Sequence, residues 1–133
     1  MRARGKLHPE PPVLGPERYL YARCSLLRVV DGDTVVLRFP LPFHVKMELD
    51  VRLLGINAPE RVGADAGAGA AATAYLLELL SSADSLTAQT RRTDKYGRWL
   101  AEIWASHLGV WSNVNAAMLA AGHSVPYWPK SEA

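Results

Sequence analysis

Asp31 and Asp33 flank Gly32, so two carboxylates share one tight turn. Carboxylates held that close repel each other, and a hard divalent cation with oxygen ligands relieves the repulsion. Further along, Arg52, Asn57 and Glu60 offer a guanidinium, an amide and a carboxylate around one strand end. A guanidinium binds phosphate, a carboxylate handles water and acidic oxygens hold a metal, which are the parts of a hydrolytic site. A third group is basic: Arg91, Arg92, Lys95 and Arg98 surround Tyr96 and Trp99. Cations interleaved with aromatics suit a phosphate backbone and a stacked base. Tyr127-Trp128 reads either as a second stacking platform or as an apolar clip that closes the fold. His8, His44, His107 and His123 are scattered without metal-ligand spacing.

These residues need elements to hold them. Tyr19 to Val30 reads as a strand, and Asp31-Gly32 as a hairpin turn into a second strand, Thr34 to Phe39. Pro40-Leu41-Pro42 ends that strand. From about His44 to Leu54, Met47, Leu49, Val51 and Leu53 alternate with Lys46, Glu48, Asp50 and Arg52, the period of a half-buried strand. Gly55 and Pro59 then break it into a rigid turn. A helix is expected over 67–81, weak at its glycine-rich start. Short strands follow at Leu86 to Thr90 and Trp99 to Ala105, separated by the basic loop. Ser112 or Asn113 caps a second helix whose core face is Val114, Ala117, Met118 and Ala121, and Gly122 stops it. Val125 to Pro129 is extended. Three strands, a helix, two strands and a helix give an α+β fold: a five-stranded Greek-key barrel of the OB type with two flanking helices.

The chain has 133 residues, 49% hydrophobic and 21% charged, which fits one domain with a real core. Residues 1–17, rich in Pro and charge, read as a flexible arm before a domain at 18–133. A net charge of +2 is compatible with a polyanionic partner. A single cysteine, Cys24, excludes an internal disulfide. The basic start, Met1 to Lys6, is followed by His8-Pro-Glu-Pro-Pro12 rather than the apolar run of a leader, and no stretch is long enough to span a membrane. The expectation is a monomer, cytoplasmic by default.

Val29-Val30-Asp31-Gly32-Asp33-Thr34-Val35, Arg52-Leu53-Leu54-Gly55-Ile56-Asn57-Ala58-Pro59-Glu60 and Arg92-Thr93-Asp94-Lys95-Tyr96-Gly97-Arg98 resemble, in order and spacing, the signature blocks of the staphylococcal nuclease (thermonuclease) family. Val114-Asn115 fits as well, and the resemblance runs from about Ser25 to Trp128. It implies an OB barrel and a calcium-dependent, sugar-nonspecific phosphodiesterase that acts on DNA and RNA and leaves 3′-phosphate ends. It implies a metal held by Asp33, Asn57 and the Ala58 carbonyl, with Asp31 as nearby acidic support. Glu60 would activate water, and Arg52 and Arg98 would stabilise the scissile phosphate. Lys95 and Tyr96 would contact the terminal phosphate, and Tyr127 and Trp128 the base.

Two departures shape the expectations. Asn57 stands where the best-known member has a second metal-binding aspartate, which leaves Mg²⁺ and Mn²⁺ open beside Ca²⁺. The reading beside an active nuclease is therefore a weak or inactive module of the same fold that binds nucleic acid or protein. The long C-terminal helix of that member is also missing, and its packing surface calls for another cover, the N-terminal arm or a partner.

Overall fold

The computed structural model describes residues 19–128. The expected arm, 1–17, and the last residue of the extended tail, Pro129, lie outside the described residues. Strand β1 (Tyr19–Asp31) pairs antiparallel with β2 (Thr34–Pro40), and β2 with β3 (Lys46–Leu53), the meander expected from the alternation. On the other edge of β1 lies β5 (Ser85–Thr93), which pairs with β6 (Trp99–His107). β6 then runs parallel to β3 through Val51↔Trp99, Arg52↔Leu100 and Leu53↔Ala101, closing five strands into an OB-type barrel.

Closure explains how burial changes along β3. At its open end Met47 is exposed and Leu49 is half-buried. Where β3 is flanked by both β2 and β6, Val51 and Leu53 are fully buried and even Arg52 is 5% exposed. Val35, Leu37, Phe39, Ala88, Ala101 and Ile103 fill the same interior. The start of the strand differs from expectation: Pro42–His44 form a 3-10 turn, so β3 begins at Lys46.

Helix α1 (Ala66–Ser81) lays Ala72, Leu76 and Leu80 on the core at i, i+4 spacing. The second helix, α2 (Val114–Ala120), is capped by the Asn113 side chain, which accepts from the Ala116 N–H at 2.9 Å. Its buried face is Val114, Asn115 and Met118, with Ala117 half-buried and Ala121 exposed beyond the last turn. Asn115 belongs there because it is a polar staple. Its Oδ1 accepts from the Ile103 N–H at 3.1 Å, and its Nδ2 donates to the Leu54 and Ala101 carbonyls at 2.9 and 3.1 Å. It thereby ties α2 to β6 and to the end of β3, the strand that delivers Arg52.

Three short strands complete the picture. β7 (Val110–Asn113) extends the sheet beyond β6, and β4 (Ile56–Asn57) pairs with β8 (Val125–Pro126). Strands of two to four residues carry too little alternation to register in sequence. Among the described residues no helix is long and apolar enough to cross a membrane.

Candidate active site

One end of the barrel opens into a cleft of about 380 Å³ lined by Asp31, Asp33, Arg52, Asn57, Ala58, Pro59, Glu60, Arg61, Val62, Lys95, Tyr96, Arg98 and Tyr127. The three groups of residues singled out in the sequence therefore meet at one place. Arg91, Arg92 and Trp99 of the third group and Trp128 do not line it.

The β1–β2 hairpin supplies the aspartates. Gly32 was expected for its turn conformation, but it has a different task. A Cβ there would lie 2.7 Å from the Ala72 Cβ and 2.8 Å from the Ala58 Cβ, so only glycine lets the hairpin pass between α1 and the Ala58 turn. Asp33 is buried, with Oδ1 accepting from the Thr34 hydroxyl and Oδ2 from the Ala58 N–H, each at 3.0 Å. Its Oδ2 also lies 3.8 Å from Arg52 Nη2. Asp31 stands further out. Burial first, then the charges of Asp33 and Glu60, push its carboxyl up, against the pull of Arg61 and Arg98.

The β3 end and the Pro59 turn supply Arg52, Asn57 and Glu60. Arg52 Nη2 donates to Asn57 Oδ1 at 3.1 Å, and its guanidinium carbon sits 4.9 Å from the centre of the Tyr127 ring. Glu60 is exposed and its carboxylate makes no hydrogen bond or ion pair among the described residues. What fixes Glu60 is backbone packing: a Cβ on Gly69 would overlap the Glu60 carbonyl, so α1 rests directly on the Glu60–Arg61 peptide. The glycine-rich helix start, a weakness on propensity alone, is the contact that seats Glu60.

The β5–β6 loop supplies Arg98, Tyr96 and Lys95. Asp94, buried at its base, organises it. One carboxylate oxygen accepts from the Tyr96 and Arg98 N–H groups at 2.9 and 3.0 Å. The other accepts from Arg98 Nε at 2.8 Å and pairs with Nη2 at 2.7 Å. Burial alone would raise the Asp94 carboxyl, but the two backbone N–H groups and Arg98 outweigh it and the result is a lowered pKa. The Tyr96 ring lies 5.3 Å from Lys95 Nζ and 5.4 Å from the Arg98 guanidinium carbon.

The aromatic tail divides. Tyr127 faces the cleft, and its N–H donates to the Gly55 carbonyl at 2.9 Å. The Trp128 ring covers Gly55, where a Cβ would lie 2.5 Å from Cζ2, so Trp128 packs on the strand break as a clip.

Oxygen donors alone, from Asp31, Asp33, Asn57 and Glu60, face this cleft together with the Ala58 turn, and that chemistry suits a hard cation. Burial does most to raise the Asp31 carboxyl, and the part added by the charges of Asp33 and Glu60 is what such a cation would relieve. Among the described residues no three His, Cys, Asp or Glu groups close on one point. Sequence reasoning missed Asp94, Gly69 and Arg61. The signal for Arg61 was its place next to Glu60, on the same rigid turn.

Residues 50–132 match the family model described as staphylococcal nuclease homologue. The chain is also 33% identical over 114 residues to the endonuclease YhcR of Bacillus subtilis strain 168, an alignment that covers 77% of this chain and 9% of that protein. The chain thus spans only a small part of the length of that relative.

Proposed function

The chain belongs to the staphylococcal nuclease family, and we propose that its cleft hydrolyses phosphodiester bonds in DNA and RNA with the help of a hard divalent cation. The observation that supports this reading is the meeting of Arg52, Arg98 and Glu60 in one cleft with Asp31 and Asp33. In this reading Asp33, with Asn57, the Ala58 carbonyl and Asp31, holds the cation, Ca²⁺ by the family resemblance. When bound, the cation would supply charge neutralisation at the phosphate.

The side chains do the rest. Arg52 and Arg98 clamp the scissile phosphate; the Asp94 carboxylate orients Arg98, and a hydrogen bond to the Asn57 amide orients Arg52 with Asp33 3.8 Å away. Glu60, with no partner of its own among the described residues, accepts a proton from water. The water oxygen bonds to phosphorus, the bond from phosphorus to the 5′ oxygen breaks, and the leaving oxygen takes a proton from solvent. Negative charge grows on the phosphoryl oxygens as this happens. Pre-oriented guanidinium donors aimed at that charge are worth about a hundredfold or more in rate. Lys95 and Tyr96 hold the neighbouring terminal phosphate, and Tyr127 backs Arg52 while offering a face to a base.

Digestion of a plasmid with Ca²⁺, with Mg²⁺ or Mn²⁺, and with chelator tests this. Cutting with a cation, abolished by chelator and by Glu60→Gln, is the expected result. No cutting in any condition would leave the second reading, a module that binds nucleic acid without cleaving it. One observation favours that reading: the Asn57 amide oxygen is already engaged by Arg52 and brings no charge. Salt-dependent DNA binding in chelator would then identify it.

A further inference from the structure

The cleft holds a cation that neither the proposed mechanism nor the family resemblance uses. Arg61 follows Glu60 and lines the same space. Its Nη1 donates to the Val30 carbonyl at 2.8 Å, which anchors the guanidinium at the end of β1 beside the aspartate hairpin. A guanidinium has five N–H donors, so one anchoring bond leaves the others for a ligand. The remaining cations of the cleft sort into two kinds. Arg52 faces Asp33 and Arg98 is paired with Asp94. Arg61 and Lys95 make no carboxylate ion pair among the described residues. They enter from different walls, Arg61 from the Pro59 turn against β1 and Lys95 from the β5–β6 loop. Arg61 and Lys95 are thus the two cations lining the cleft that no carboxylate holds in an ion pair among the described residues.

We propose that Arg61 binds a strand phosphate next to the one that is cut, so that the preferred substrate is an oligonucleotide with phosphates on both sides of the scissile bond. This rests on the phosphodiesterase reading of the cleft for which phosphate is cut, but the contact itself is a matter of binding. The structure favours a strand over a single phosphodiester because Arg61 and Lys95 stand on separate walls with the paired arginines and Glu60 in the same cleft. A solely structural Arg61, tying the turn to Val30, would need the anchoring bond and nothing more.

The test compares the parent chain with Arg61→Ala, Arg61→Gln and Arg61→Lys. Binding of a short single-stranded DNA oligonucleotide is measured in chelator over a range of salt concentrations. Loss of one phosphate contact lowers the slope of log affinity against log salt by about 0.7. The Ala and Gln variants should show that loss, and Lys should restore the slope. In cleavage with added Ca²⁺, the Ala and Gln variants should raise KM for the oligonucleotide several-fold more than KM for a dinucleoside monophosphate, which has no flanking phosphate. A parental slope in both neutral variants would overturn the proposal, as would failure of the parent to bind the oligonucleotide at low salt. If the parent binds but cuts nothing, the phosphodiesterase reading fails. The salt slope then still decides whether Arg61 holds a phosphate.

Discussion

The Asn57 amide oxygen accepts a hydrogen bond from Arg52 Nη2 at 3.1 Å, and the same Nη2 lies 3.8 Å from Asp33 Oδ2. Arg52 therefore stands between the amide and the aspartate. In sequence, Asn57→Asp reads as a variant that adds metal affinity at the cost of repulsion with Asp31 and Asp33. The geometry changes the second half. A carboxylate at position 57 meets the guanidinium first, and a hydrogen-bonded ion pair replaces a bond from the guanidinium to a neutral amide. The melting temperature of Asn57→Asp in chelator should hold or rise. Calcium affinity should tighten by less than about tenfold, because Arg52 offsets part of the new charge. Calorimetric titration and melting curves in chelator and in calcium measure both. A clear fall in melting temperature in chelator would mean that the new carboxylate faces the aspartates instead.

Glu60→Gln should abolish most cleavage and leave the fold alone. The side chain is exposed and has no hydrogen-bond partner among the described residues, so stability should change by about 0.5 kcal/mol at most. Losing a general base costs about 10²–10⁴-fold in turnover. Single-turnover kinetics beside oligonucleotide binding separates the two effects, and a parental rate would remove Glu60 from the chemistry.

Asp94→Asn should loosen the arginine clamp. The Asp94 side chain is 1% exposed and bonds the Tyr96 and Arg98 backbone as well as the Arg98 guanidinium. Its lowered folded pKa means that the native state favours the ionised form. That stabilisation is complete above the unfolded carboxylate pKa of about 3.9 and is lost as pH falls through the lower folded value. Urea melts from neutral to acid pH should show the parent losing this increment. Asp94→Asn should lack the increment at every pH and should cut more slowly than its loss of DNA affinity explains.

Gly69→Ala and Gly67→Ala form a matched pair in the first turns of α1. At Gly69 the new methyl strikes the Glu60 carbonyl, so the helix or the turn must move. Overpacking of this kind costs about 1–3 kcal/mol, and turnover should fall with it because Glu60 moves. At Gly67 nothing lies within 4 Å of the new Cβ. There the substitution should be neutral or stabilising by up to about 1 kcal/mol with activity unchanged. Equal melting temperatures and rates for the two variants would contradict the seating of Glu60 on the helix.

Much of this was legible in the order of residues. Alternation over 46–53 reports which side of β3 is buried, because pleated backbone forces successive side chains to opposite faces. The existence of the β1–β2 hairpin, the helix over α1 and the Asn113 cap are local as well, set by contacts within a few residues. The order and spacing of the three motif blocks were enough to point to the family.

Other features depend on neighbours far away in sequence, and no local pattern carries them. Arg52 sits at a polar position of an alternating strand, yet it is buried because β6 arrives beside it in parallel. Gly32 and Gly69 are required by Ala58, Ala72 and the Glu60 carbonyl, which reach them only when α1 docks. Tyr127 and Trp128 are adjacent and similar in chemistry, but β8 pairing with β4 turns one toward Arg52 and lays the other on Gly55. Residue type determines what a side chain can do. Which partner it does it with is decided by packing, since a hydrogen bond or an ion pair exists only within a few ångströms and the fold alone sets those separations.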